Sequence, residues 1–218
     1  MHFLKEISDL WDTRVLEPRE ILIRKWDPKS QHELYIVEEW MLLERWTSLD
    51  WTKQNIHELF GIWDICNPQI LYSNSSKNPL FMSQVEALPK SNSVVRSISG
   101  HKMQQLMGET PQVLEAVFSY VWDKISSQKR KVEDMNFLSS KERIRDLIVL
   151  LAEKVGKKFW FDTEIKIPLV HSDFAQMTWT SRQTVTSFLS ELRNNKIIRT
   201  SRWRILIHDL DALIKREV

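Results

Sequence analysis

Residues 171–207 constrain this chain more than any other stretch, because two short helices, a turn and a two-stranded hairpin follow one another with almost no residues to spare. Ser172 offers a capping hydroxyl to a first helix that buries Phe174, Ala175 and Met177. Thr178, Trp179 and Thr180 form the turn. A second helix opens at Thr180 or Ser181, again on a hydroxyl, and sets Val185, Phe188, Leu189 and Leu192 at helical spacing for burial. Residues 196–200 and 204–207 then read as two apolar strands around a basic tip at Ser201, Arg202 and Trp203.

The second helix has an unusual outer face. Arg182, Gln183, Thr186 and Ser187 place one fork-shaped donor ahead of short hydrogen-bonding groups, the types that reach base edges in a major groove. Helix pairs are common in folded proteins, so the surrounding charge decides the matter. From Ser139 onward there are 15 Lys and Arg against 10 Asp and Glu, a net of +5. The preceding residues carry 16 against 19, a net of −3. Positive charge is therefore segregated to the end with the helix pair and hairpin, as binding to a phosphate backbone requires.

This stretch resembles the winged helix-turn-helix of the CRP/FNR family of bacterial transcription regulators. The family's recognition motif is a Ser or Thr, an Arg, a variable residue and Thr-Val, matched here by Ser181, Arg182, Gln183, Thr184 and Val185. The resemblance implies that Arg182 contacts a guanine, that Gln183 reads a neighbouring base, and that Ser181 and Thr184 anchor the helix to phosphate. Lys196, Arg199, Arg202 and Arg204 would lie along phosphates as the wing. Trp179 stands where the family usually has Gly, and Ser187 where its last reading residue is often Arg. The operator is therefore expected to differ from the one best known for the family.

Upstream, residues 1–12 read as an amphipathic helix carrying Phe3, Leu4, Ile7, Leu10 and Trp11. Short alternating runs at 20–25, 33–38 and 40–46 follow, separated by turn residues at 26–28 and 29–32. Between 48 and 89 the candidate strand residues are Phe60, Ile62, Trp63, Ile65, Ile70, Leu71, Phe81 and Val85, with a polar loop at 73–79. The succession resembles the cyclic-nucleotide-binding barrel of the same family, a cupin-like double-stranded β-helix. Glycines usually punctuate those strands, yet this chain has four, and Glu39 stands where one is common.

The family's phosphate cassette, Phe-Gly-Glu and then an Arg, is missing: Ile62 follows Phe60 and Gly61, residues 80–84 contain no Arg, and Lys77 is the nearby cation. No cyclic nucleotide is expected to bind in the usual way, and no cofactor is expected. Trp40, Trp46, Trp51, Trp63 and Phe81 either fill the barrel core or line an effector pocket. His32, His57 and His101 are scattered, without the spacing of a haem site. No close His and carboxylate spacing appears along the strands, so neither metal ligands nor catalytic residues are expected, and the protein is not read as an enzyme.

Thr110 and Pro111 open a long helix in which Leu114, Phe118, Val121, Ile125, Gln128, Val132 and Met135 recur four and three residues apart, a heptad seam suited to two-stranded pairing. Residues 128–131 are basic, and 136–139 form a hinge. Ser139 and Glu142 form a capping box for a helix burying Ile144, Leu147, Ile148 and Leu151 and stopping at Gly156. A small hairpin at 159–167 and a final helix at 209–217 complete the chain.

The lone Cys66 excludes an internal disulfide and the family's iron-sulfur version. With no apolar run of about 18 residues or signal-like start, a cytoplasmic location and no membrane partner are expected. The fold expected is α+β in three parts: a sensor barrel at 1–109, a dimerisation helix and hinge at 110–138, and a winged helix-turn-helix at 139–218. Its expected role is a homodimeric regulator on a pseudo-palindromic DNA duplex, meeting RNA polymerase if it activates. The alternative is a sensor of small molecules or proteins whose helix pair no longer reads DNA.

Overall fold

The computed structural model describes residues 11–24, 32–50, 54–71 and 81–215, and the chain divides into two compact units, Met1–Lys129 and Arg130–Val218. Strands of the first unit are β1 (Asp12–Leu16), β2 (Ile21–Arg24), β3 (Glu33–Glu39), β4 (Leu42–Ser48), β5 (Gln54–Phe60), β6 (Phe81–Ala87) and β7 (Ser93–Ser99). They pair antiparallel in two sheets, ordered β1-β7-β3 and β2-β6-β4-β5. Leu16, Tyr35, Val37 and Val95 of the first sheet share one core with Ile23, Leu42, Phe60, Val85 and Ala87 of the second. The expected barrel architecture thus takes the form of two facing sheets.

Alternation along β3 gives the first sheet a second apolar side. Tyr35 and Val37 face the inner core, whereas Leu34 and Ile36 join an outer cluster with Ile98, Met103, Val113, Val117 and Tyr120. Helices α1 (Gly100–Glu109) and α2 (Pro111–Phe137) supply the last four of these. The Tyr120 hydroxyl donates to the Ile65 carbonyl at 2.8 Å and accepts from the Ile65 N–H at 2.9 Å. This pair of hydrogen bonds fastens the first half of α2 to the first unit.

Several sequence expectations need correction here. Ile62 and Trp63 lie in a turn, Ile65 makes an isolated bridge to Ile36, and Ile70 and Leu71 end a 3-10 helix, Pro68–Leu71. Pro68 has no N–H to donate to a ladder, so the chain coils there instead of pairing. Of the strand residues expected between 48 and 89, Phe60 ends β5 and Phe81 and Val85 lie in β6. Asp12 already belongs to β1 and the buried Trp11 lies in a bend before it, while residues 1–10 of the expected first helix lie outside the described residues. So do residue 25, residues 26–31 of the expected turns, Trp51, and the polar loop with Lys77.

Glycine scarcity has a structural counterpart. None of the glycines adopts a positive φ, and Trp40, Trp63, Trp160, Trp179 and Trp203 do so instead. Each left-handed non-glycine residue costs about 1–2 kcal/mol. The turn after Glu39 is thus built on Trp40, at φ 67°.

In the second unit α3 (Ser140–Val155) starts on the expected capping box: the Ser139 hydroxyl accepts from the Glu142 N–H at 3.3 Å, and the Ser139 N–H donates to the Glu142 carboxylate at 2.8 Å. α2 runs through Phe137, so the break between the helices is confined to residues 138–139. Gly156 ends α3 with φ −66°, and glycine is needed there because a Cβ would sit 2.2 Å from the Ala152 carbonyl oxygen. Then come β8 (Lys157–Phe159), β9 (Asp162–Lys166), α4 (His171–Thr178), α5 (Arg182–Asn194), β10 (Ile198–Ser201), β11 (Arg204–Ile207) and α6 (Leu210–Ile214). The strands form one antiparallel sheet, β10-β11-β9-β8. Trp160 and Phe161, expected in a strand, are its exposed turn.

Candidate nucleic-acid interface

Helix α5 carries the site, and its cap orients it. Ser181 has extended backbone and its Oγ accepts the Thr184 N–H at 3.0 Å, while the two hydroxyls lie 2.9 Å apart. Ser181 and Thr184 are thus engaged with each other and leave one O–H of the pair to point outward. Val185, Phe188, Leu189 and Leu192 are buried, as their spacing predicts, which fixes the rotation of the helix. Arg182, Gln183, Thr186 and Ser187 are consequently exposed and, with Ser190, line an open concavity.

α4 is capped differently from the expectation. Ser172 is inside the helix; Val170 is the cap residue, and its N–H donates to the Asp173 carboxylate at 2.8 Å. A carboxylate in the first turn also suits the helix dipole, so it outcompetes a hydroxyl one residue earlier. Phe174 and Ala175 are buried as expected, joined by Thr178, while Met177 is half-buried.

The turn is completed by Trp179 in left-handed conformation, φ 54° and ψ 46°, a geometry that glycine adopts without strain. Arg143 holds it: its Nε donates to the Thr178 carbonyl at 2.9 Å and its Nη1 to the Leu138 carbonyl at 2.6 Å. Sequence reading missed Arg143, because it lies 35 residues from the carbonyl it satisfies and belongs to no motif.

His171 was missed as well. Its Nδ1 lies 2.9 Å from Thr186 Oγ1, and that hydroxyl also donates to the Arg182 carbonyl at 2.9 Å. With its single hydrogen committed to the carbonyl, Thr186 accepts from an Nδ1–H of His171. Burial, and then the Arg182 and Arg193 charges, hold the His171 pKa below its ordinary value, so the ring is neutral near pH 7.

On the hairpin, Arg202 lies over the Trp203 ring at 4.3 Å, at a tip turned by Trp203 at φ 60°. Arg199 and Lys196 are exposed; Lys196 precedes β10, at the base of the hairpin. Arg204 is paired with Glu164 of the neighbouring strand, so part of its charge is spent within the sheet. Arg193 donates to Ser190 Oγ at 2.7 Å.

The other predicted residues fall elsewhere. Leu114, Phe118, Ile125, Val132 and Met135 are exposed, with Phe118 at 65%, while Val121 and Gln128 are half-buried. Among the described residues, the candidate effector aromatics lie on different segments. Trp46 lies in β4, Trp63 packs against the outer cluster and Trp40 sits in the turn after β3, while the Phe81 side chain lies outside the described residues. His32, in the bend before β3, and His101, in α1, are exposed, and His57 stacks on Trp46. Glu44, His57 and Glu58, which sequence reading did not single out together, come close to one another. They lie on two strands whose pairing sequence spacing does not reveal.

Residues 142–216 match the Crp-like helix-turn-helix domain model. No curated protein sequence matched the chain. Among solved structures, FixK2 from Bradyrhizobium japonicum aligns over 94% of this chain and 96% of its own, at 13% identity and TM-score 0.78. A CRP-family transcriptional regulator from Thermus thermophilus covers 93% and 95%, at 16% identity and TM-score 0.73. The c-di-GMP-responsive global regulator CLP from Xanthomonas campestris covers 95% and 99%, at 16% identity and TM-score 0.71. Residues 142–216 thus match a Crp-like helix-turn-helix domain, and along nearly its whole length the chain is similar in fold to these solved structures.

Proposed function

We propose that the protein is a homodimeric, sequence-specific DNA-binding transcription regulator whose sensor half does not take a cyclic nucleotide through the family's phosphate cassette. The observation that carries this reading is the capped helix α5, whose buried stripe leaves Arg182, Gln183, Thr186 and Ser187 outward together. Arg182 pairs with guanine, Gln183 with an adjacent base, and the Thr186 methyl packs on a thymine methyl. Ser181, Thr184, Lys196, Arg199, Arg202 and the half-neutralised Arg204 face phosphates.

Residues 1–109 act as sensor, 110–138 as dimerisation helix and hinge, and 139–218 as DNA reader. Exposure of Leu114, Phe118, Ile125, Val132 and Met135 on one chain supports pairing of two α2 helices, with Val121 and Gln128 at the edge of the seam. The protein works in the cytoplasm without enzymatic activity, and meets RNA polymerase where it activates.

Gel shifts with specific and random duplexes test the assignment. Arg182→Ala should lose about 1–3 kcal/mol per half-site on the specific duplex alone. Arg202→Ala and Lys196→Ala should weaken both duplexes equally and reduce the salt slope by about one each. Equal loss on both duplexes for all three variants would contradict the roles given.

A further inference from the structure

Two glutamates seldom face one another across a strand pair, since like charges directly opposite are destabilising. Glu44 of β4 and Glu58 of β5 are such partners, and Glu44 is only 3% exposed. Leu42, two residues before Glu44, and Val85, opposite it, both belong to the inner core, so this pair faces the interior between the sheets. Immediately afterwards the register slips: Arg45 pairs with Ile56, which makes His57 the additional residue on β5. A bulge of this kind re-aims a side chain. As a result one ligand atom from each of Glu44, His57 and Glu58 lies within 4.8 Å of the other two.

The surroundings hold these groups in place. Trp46 stacks on the His57 ring, centroids 3.8 Å apart and planes 17° apart, and the Ser83 hydroxyl donates to Glu44. A cationic group is already seated at the edge: the Lys124 ammonium pairs with Glu58 and lies 4.0 Å from the Asp64 carboxylate. Phe60 and Tyr120 flank that ammonium at 5.1 and 5.6 Å from their ring centres.

We propose that Glu44, His57 and Glu58 form a site for one divalent transition-metal ion, which displaces Lys124 from Glu58 and leaves it to Asp64. One imidazole and two carboxylates suit Zn2+, Mn2+ or Fe(II). Bond lengths of about 2.0–2.2 Å require the three ligand atoms to draw together by small side-chain rotations. Lys124 lies on α2, the helix that carries the exposed apolar seam, so occupancy changes what holds that helix. The site goes beyond the DNA-binding reading and stands without it.

Calorimetric titration of chelator-treated full-length protein with Zn2+ and with Mn2+ tests the proposal. One ion per chain is expected, with affinity at least tenfold weaker in Glu44→Gln and in His57→Gln. Lys124→Met, which removes the competing ammonium, should bind several-fold tighter. Mn2+ should quench tryptophan fluorescence at the same stoichiometry through Trp46. Circular dichroism checks that each variant is folded, and Lys124→Met decides the matter if the ligand variants are not. Absence of stoichiometric binding, binding unchanged by Glu44→Gln and His57→Gln, or unchanged affinity in Lys124→Met would overturn the site.

Discussion

Removing one oxygen atom at Tyr120 should loosen the long helix from the β unit. Tyr120 is 5% exposed, and its hydroxyl occupies both the N–H and the carbonyl of Ile65. Phenylalanine preserves the packing but leaves two buried backbone groups unsatisfied, at about 1–3 kcal/mol each, so a loss of about 2–6 kcal/mol is expected. For a unit of this size, that lowers the melting midpoint by roughly 10 °C. Differential scanning calorimetry of Tyr120→Phe should show this in the transition of the first unit and leave the second unit's in place. A change below about 0.5 kcal/mol would mean that Ile65 finds other partners, and would refute the reasoning.

The pH dependence follows with a definite sign. Burial raises the Tyr120 pKa well above its ordinary value and pushes Tyr35 up to about 12. A folded-state pKa above the unfolded value of about 10 gives stability that is present below pH 10 and lost as pH rises through the folded value. Tyr35 should therefore lose its contribution between about pH 10 and 12. Tyr120→Phe should shrink the alkaline destabilisation.

Trp179→Gly should stabilise the second unit by about 0.5–1 kcal/mol, since the left-handed backbone is strained for tryptophan and its ring is 54% exposed; thermal melts will show the sign. Trp179→Val should destabilise it, because a β-branched residue fits that conformation worse. His171 has a depressed pKa, so its contribution is present above about pH 6.5 and lost on acidification; urea melts of His171→Gln should flatten that acid limb. Ile125→Glu places a charge on an exposed apolar seam and should shift sedimentation from dimer to monomer without lowering the chain's own melting midpoint.

The helix pair was legible because its signals are local. Buried residues at helical spacing fixed the face of α5, and the hydroxyl at Ser181 fixed its start. The same locality misplaced the cap of α4, where Asp173 reaches back to Val170. The β unit was legible only in outline, since pairing of β4 with β5 and β6 depends on contacts distant in sequence. The bulge at His57 illustrates the limit: no spacing rule announces that His57 and Glu58 share a side with Glu44. Glycine scarcity pointed to remodelled turns, and Trp40, Trp63, Trp160, Trp179 and Trp203 are among the non-glycine residues that take left-handed backbone. Arg143 and His171 act through partners 35 and 15 residues away, which is why their roles emerge only in the folded chain.

Selection of random-sequence duplexes by the purified full-length protein tests the central claim most directly. The account predicts enrichment of an inverted repeat with half-sites about 10 base pairs apart, each containing a guanine lost from the consensus in Arg182→Ala. Enrichment of a lone half-site, or of nothing, would contradict it.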